Sequence, residues 1–253
     1  MAHKKPVAAF DLDGTLIREQ LLVLLTKECF ELEIFRHVAE VIFKRVRLTH
    51  RDRKITFEDY DRQIIDIFTD RVKGKLRTDV HLAAERVFEK NRDWLYKFTK
   101  ALLEETAESH DRITITGAMQ ETVSLLAPYW GFTKWYTTIL QVDKIGRYTG
   151  KQLSLPVRNK GAAVRRHVKT HGATLIGSLA IGDTLSDASM LEVVENPIVF
   201  NPDDKLAEIA DDKGWPIVVE RKDCIYVTYR GRYKRFSSDH ARAAARFVLD
   251  LKR

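Results

Sequence analysis

Val7-Ala8-Ala9-Phe10-Asp11-Leu12-Asp13-Gly14-Thr15 is the stretch on which the fold turns. Four apolar residues in a row, without alternation, read as a strand buried on both faces, as in the middle of a parallel sheet. The run ends at a carboxylate, Asp11, and Gly14-Thr15 then breaks it. Downstream the period changes. From 19 to about 108, Leu21, Leu22, Leu25, Phe30, Ile34, Phe35, Val38, Val41 and Ile42 recur at helical spacing, as do Ile64, Ile65, Phe68, Val87, Leu95, Phe98 and Leu102. This stretch holds no Pro and one Gly, Gly74, so it reads as an all-helical unit of four or five helices.

At Arg112 the pattern changes again. Ile113-Thr114-Ile115-Thr116 reads as a strand broken by Gly117, and 119–126 as a helix that ends before Pro128. Residues 135–142 and 147–155 read as two strands, 160–170 as a helix stopped by Gly172, and 179–183 as a strand ending in Asp183. Ser186 is placed to cap a helix over 187–194. A strand at 197–200, a helix at 205–210, a strand at 216–219, a hairpin turning at Gly231 and an amphipathic helix over 238–251 complete the chain. Strands and helices alternate on both sides of one helical insertion. This predicts an α/β fold, a Rossmann-like, mostly parallel sheet core with an inserted all-helical cap. The core is expected to span 1–17 and 106–253, with 220–253 as an extra C-terminal hairpin and helix, and the cap to span 18–105.

Composition bounds the function. The 253 residues are 44% hydrophobic and 31% charged, an ordinary globular balance. The two cysteines, Cys29 and Cys224, follow no metal-ligand spacing and make no disulfide framework, which fits a reducing compartment. No apolar run approaches the roughly 20 residues of a membrane span. The N-terminal His3-Lys4-Lys5 is followed by only four apolar residues, too few for a signal-peptide core. The expectation is a cytoplasmic protein with no membrane partner. The net charge is +7. Residues 36–54 hold seven Lys/Arg and two acids, and 220–253 hold ten and four, so the remainder of the chain is net acidic. The basic excess therefore suits steering of an anionic ligand toward the insertion, or a solvated surface.

In open α/β sheets ligands bind beyond the carboxyl ends of the strands. Four groups of polar residues fall there: Asp11 to Thr15, Thr116-Gly117, Lys160 at the start of its helix, and Gly182-Asp183-Thr184-Leu185-Ser186-Asp187. Asp11, Asp13, Asp183 and Asp187 would be like charges in a small volume, which requires a cation. Oxygen donors alone imply a hard metal, Mg2+. A Lys, a Thr hydroxyl and a backbone N–H suit phosphoryl oxygens, and a carboxylate nucleophile can form an aspartyl-phosphate.

Taken together, Phe10-Asp11-Leu12-Asp13-Gly14-Thr15, Ile115-Thr116-Gly117, Asn159-Lys160-Gly161 and the run from Gly182 to Asp187 resemble, in order, the four motifs of the haloacid dehalogenase (HAD) superfamily, in its phosphoserine-phosphatase-like branch. Tyr148-Thr149-Gly150, Asn201-Pro202-Asp203 and Gly214-Trp215-Pro216 extend the likeness over about 6–219. The resemblance implies that Asp11 is the nucleophile and a metal ligand. It makes Asp13 the general acid and then base, with its carbonyl on the metal. Thr116 and Gly117 would hold phosphate oxygens and Lys160 would neutralise the nucleophile and phosphate. Asp183 would ligate Mg2+, and Asp187 would orient the ligands from behind. Within the superfamily, dehalogenases lack the second Asp, so Asp13 argues for phosphoryl transfer.

In the phosphoserine branch a Glu after the first motif and an Arg in the lid grip the substrate. The corresponding candidates are Glu19, or Gln20 beside it, and Arg62 in Phe57-Glu58-Asp59-Tyr60-Asp61-Arg62. The expected activity is Mg-dependent hydrolysis of a small phosphorylated metabolite, since a lid excludes bulky ligands. Two alternatives stand beside it: a phosphatase for a nucleotide or nucleic-acid end, and a catalytically idle fold that binds nucleic acid through its basic surfaces. His167 and His171, four apart with no third ligand, are expected at the surface. The tail after about Asp223 lies outside the resemblance. It is expected either to extend the sheet or to pack separately.

Overall fold

The computed structural model describes residues 4–251, and the side chain of Glu58 is not described. His3 and the terminal Lys252-Arg253 counted in the basic tail lie outside the described residues. One nine-stranded sheet organises the chain, in the order β4-β3-β2-β1-β5-β6-β7-β8-β9. Its centre is parallel: β1 (Pro6–Phe10) lies between β2 (Asp111–Met119) and β5 (Thr174–Gly182), flanked by β3 (Lys134–Val142), β6 (Asn196–Phe200) and β7 (Ile217–Arg221). Val7, Ala8, Ala9 and Phe10 are fully buried, which is why that run carries no alternation. The outer strands β4 (Tyr148–Ser154), β8 (Cys224–Tyr229) and β9 (Arg232–Ser237) pair antiparallel with their neighbours.

Five helices separate β1 from β2: α1 (Leu21–Glu31), α2 (His37–Arg51), α3 (Phe57–Val72), α4 (Arg77–Asn91) and α5 (Lys97–Glu105). Phe30, Phe35, Phe43 and Phe68 interlock among α1, α2, α3 and the turn between α1 and α2, with ring centroids 5.5–5.7 Å apart. The segment between α3 and α4 is fastened to β4: Gly74 N–H donates to the Tyr148 carbonyl (2.8 Å) and Tyr148 N–H donates to the Lys75 carbonyl (3.0 Å). The fifth helix faces the sheet, with Phe98 stacked on Phe200 at 5.9 Å. The buried Glu220 on β7 accepts from the first N–H groups of α5, at Lys97 (3.2 Å) and Phe98 (2.8 Å), where a carboxylate satisfies donors that no helical carbonyl reaches.

The second half supplies α6 (Gln120–Tyr129), α7 (Lys160–His171), α8 (Ala188–Leu191), α9 (Asp204–Lys213) and α10 (Ala241–Asp250). The tail extends the sheet: β8 adds to β7 and β9 to β8. The final helix returns to α5, where Arg242 and Arg246 pair with Glu104 and Glu105 at 2.8 Å.

Four local expectations are corrected. Gly117 does not end its strand; β2 runs on to Met119, with a shift in pairing to β3 between Ile115 and Met119. Pro128 lies inside the last turn of α6, where it removes one backbone donor without breaking the helix. Thr184, not Ser186, provides the cap after β5, reciprocated by Asp187. His167 is buried, not at the surface: its ring bonds the Asp111 carboxylate (2.7 Å) and the Tyr136 hydroxyl (3.0 Å), and it stacks on His171. Among the described residues no helix is long and apolar enough to cross a membrane.

Candidate active site

The sheet registers bring the motifs to one edge. Phe10 is level with Thr114 on one side and Ile181 on the other, so the next residues of β1, β2 and β5 emerge together. Asp11 N–H still donates to the Ile181 carbonyl (3.0 Å), which holds the first residue past the strand beside β5. The chain then coils tightly, with Leu16 and Ile17 N–H both on the Leu12 carbonyl. Gly14 sits at φ +81 in this turn, and a Cβ there would fall 2.1 Å from Asp183 Oδ2, so both its conformation and the space require glycine. Thr15 Oγ1 donates to Asp183 Oδ1 (2.8 Å), tying the first motif to the last.

Lys160 is the first residue of α7, whose preceding Asn159 accepts from Ala162 N–H (2.8 Å). Its buried Nζ lies 2.6 Å from Asp11 Oδ1 and 2.5 Å from Asp187 Oδ1. The other Asp187 oxygen accepts from the N–H groups of Asp183 and Thr184, both at 3.0 Å. Asp187 is thus spent on Lys160 and the backbone, while Asp183 uses one oxygen on Thr15. A Cβ at Gly182 would meet Asp187 at 2.4 Å, so the last motif can close on itself only around glycine.

Asp11, Asp183 and Asp187 offer carboxylate oxygens all within 4.8 Å of one another. Burial pushes Asp11 up to about 6, with Lys160 opposing and Asp187 adding to the rise. Burial, then the charges of Asp11 and Asp187, raise Asp183 well above its ordinary value. Burial alone would lower Lys160, but the two carboxylates on it outweigh that and raise it. Three carboxylates against one ammonium leave a double negative charge in an all-oxygen pocket. The donor set therefore fits a divalent hard cation.

Asp13 points elsewhere. Its Oδ1 accepts from the backbone N–H of Leu21, the first residue of α1, at 2.8 Å. Burial and the charge of Asp11 push Asp13 up to about 7, against the Leu21 bond. A carboxyl held near neutrality can both donate and accept a proton. Thr116 is fully buried in β2, with its hydroxyl accepting from Ala118 N–H (3.1 Å). Asp13 and Gly117 line a cavity of about 460 Å³ between the sheet edge and the helical insertion.

The family model of haloacid dehalogenase-like hydrolases matches residues 8–192. The chain belongs to this family. It is 26% identical over 117 residues to a histidinol-phosphatase of Neisseria meningitidis, covering 43% of this chain and 51% of that one. It is 30% identical over 109 residues to a probable phosphatase of Mycobacterium tuberculosis, covering 43% of this chain and 38% of that one. The chain thus spans about half or less of the length of these relatives. A Bordetella pertussis protein of unknown function superposes with a TM-score of 0.67 at 20% identity, over 85% of this chain and 98% of that one. A phosphoserine phosphatase, in a phospho-aspartyl intermediate analogue, does so at 0.59 and 21%, over 87% and 96%. At these identities the likeness is one of fold.

Two expected substrate residues are not in the cavity of this HAD chain. Arg62 has a side chain 65% exposed and pairs with Asp59, one turn back on α3. Glu19 is held by Lys27 (2.7 Å) and Arg47 (2.8 Å). In each case a neighbouring opposite charge takes the side chain. The residues that do line the cavity include Gln20, Asp61, Asp66, Thr69 and Asp70. Helical spacing was the available signal: 61, 65, 68 and 69 fall at i, i+4, i+7 and i+8, a single face of α3. Thr15 was legible only as part of its motif. The basic segment 36–54 lies on and after α2 and supplies nothing to this cavity.

Proposed function

We propose that the chain is a Mg2+-dependent phosphomonoester hydrolase for a small phosphorylated metabolite, working through an aspartyl-phosphate on Asp11. The observation that carries this reading is the buried Lys160 ammonium bridging Asp11 and Asp187 beside Asp183, with Asp13 turned away toward Leu21. Phosphatase names among the relatives, and phosphoserine phosphatase among the folds, support it.

Asp11, Asp183 and the Asp13 carbonyl would hold the cation, and Asp187 would hold Lys160 and the loop behind it. When bound, Mg2+ supplies charge neutralisation for the phosphate oxygens. Thr116 and the Gly117 N–H would bind phosphate oxygens, and Lys160 keeps Asp11 ionised and offsets charge as the bond forms. A carboxylate oxygen of Asp11 attacks phosphorus while the bond to the alcohol oxygen breaks, and Asp13 gives that oxygen its proton. Asp13, now a carboxylate, takes a proton from water, which attacks phosphorus. The bond to Asp11 breaks and inorganic phosphate leaves. Separate residues thus serve as nucleophile and as acid–base, which is what divergent environments for Asp11 and Asp13 allow.

The test is hydrolysis of p-nitrophenyl phosphate. Turnover is expected with Mg2+, to be lost with EDTA and restored by Mg2+, and to fall at least about 10³-fold in Asp11→Asn. A wild-type protein inactive with Mg2+ across a broad panel of phosphomonoesters refutes the reading.

A further inference from the structure

The cavity beside Asp13 and Gly117 has an unbalanced lining. Asp13, Asp61, Asp66 and Asp70 contribute four carboxylates, and among the described residues no Lys, Arg or His lines it. The rest of its lining mixes apolar residues such as Leu22, Phe68 and Leu140 with the uncharged polar Thr69, Thr138, Gln152 and Ser186. Asp13 and Gly117 mark the end where phosphate would bind, so the remainder is room for the alcohol that leaves.

The acids here are unlike those around them. Elsewhere in the insertion Glu19, Glu40 and Asp59 each have a cationic side chain against them. Among the described residues the Asp61 carboxylate has only the Gln20 amide, whose Nε2 donates to its Oδ1 at 2.9 Å. The exposed Asp66 and Asp70 have no hydrogen-bond or ion-pair partner among the described residues. Gln20 holds Asp61 in place. Its amide is oriented by donation to Asp61, which leaves Oε1 buried without a partner. Burial pushes Asp61 up, against the Gln20 bond, as expected of a carboxylate that lacks a counter-charge.

A partly buried carboxylate without a cation destabilises the empty cavity. One type of ligand relieves this: a positively charged nitrogen with N–H groups, on a short carbon chain that the apolar residues of the lining cover. A carboxylate on the ligand would instead face Asp61, Asp66 and Asp70 with no lining cation among the described residues to receive it, since Arg62 is held on the outside by Asp59. Building on the phosphomonoesterase reading, we propose that the substrate is the phosphate ester of an amino alcohol, with a cationic nitrogen and no carboxylate, and that Asp61, held in place by the Gln20 amide, selects it. Asp66 and Asp70 add a negative field at the more exposed part of the cavity.

Three esters of matched size separate the possibilities. Phosphoethanolamine carries the cation, propyl phosphate replaces the ammonium by a methyl group, and phosphoserine adds a carboxylate to the amine. With the purified 253-residue protein and Mg2+, kcat/KM for phosphoethanolamine is expected to exceed that for the other two by about 10- to 100-fold, the range of a charge-assisted hydrogen bond. Asp61→Asn is expected to bring the phosphoethanolamine-to-propyl-phosphate ratio down at least about tenfold, and Asp66→Asn or Asp70→Asn to lower it a few-fold. A ratio measured on one preparation cancels any loss of folded protein. A ratio of one or below in the wild type, a preference for phosphoserine, or a ratio unmoved by Asp61→Asn overturns the proposal. If p-nitrophenyl phosphate is hydrolysed without preference for the cation, only this proposal fails. If no ester is hydrolysed at all, the phosphatase reading fails and this one with it.

Discussion

The two sides of the cavity treat charge in opposite ways. On the sheet side each of these carboxylates already has a hydrogen-bond donor: Lys160 lies on Asp11 and Asp187, Thr15 on Asp183, and backbone N–H groups on Asp187 and Asp13. On the helical side Asp61 has one amide donor, Gln20 keeps an unpaired oxygen, and Asp66 and Asp70 face open space. The first arrangement is already organised before a ligand arrives, which is what transition-state stabilisation needs. The second is incomplete until a ligand arrives, which is what selectivity needs. As proposed, chemistry and choice of substrate thus fall to different parts of the chain.

Substitutions on the two sides should differ accordingly. The largest effect is expected from Asp11→Asn, which removes the proposed nucleophile and should act on every ester alike. Lys160→Met should come next and should act on folding as well. It leaves Asp11 and Asp187 buried without their counter-charge, and loss of one partner from such a group costs about 3–5 kcal/mol of stability. Thermal or urea unfolding measures this, and an unchanged midpoint would show that Lys160 does not hold the sheet side together. Gly14→Ala inserts a methyl group into Asp183 at a backbone angle that side chains avoid. A displacement near 1 Å at that point should lower kcat about 10²-fold and weaken Mg2+ activation, again without favouring one ester. Substitutions of Asp61 should change the ranking of esters rather than the rate on all of them. The smallest effect belongs to Arg62→Ala. Its pair with Asp59 is solvent-exposed, so stability should move by less than about 1 kcal/mol and the ester ranking should not change. A changed ranking in Arg62→Ala would place that guanidinium in the cavity and erase the contrast drawn here.

The central sheet and the sheet-side site were readable because local rules and tertiary roles agree there. A strand buried on both faces must be uniformly apolar, and its carboxyl end is where a ligand binds, so Val7 to Phe10 followed by Asp11 states its position. The helical side was not readable in the same way. Arg62 and Asp61 are adjacent in sequence, and which of them serves the cavity depends on where Asp59 and Gln20 lie. Likewise Glu19 and Gln20 differ by one position, and the cations of Lys27 and Arg47 draw Glu19 away. His167 showed no sign of burial in its own segment, since its partners Asp111 and Tyr136 come from β2 and β3.

By itself, then, the sequence determined the α/β class, the order of strands and helices, and the residue types of a carboxylate-and-lysine centre. These follow from periodicity and from charges that cannot share a volume without a cation. Only the tertiary structure decided that the tail continues the sheet, that Glu220 anchors α5, and that Asp13 turns toward the first helix of the insertion while Asp11 turns toward Lys160. The reason is physical. A side chain's orientation is set by which opposite charge or unsatisfied backbone group reaches it first, and those partners lie 8 to 149 positions away along the chain.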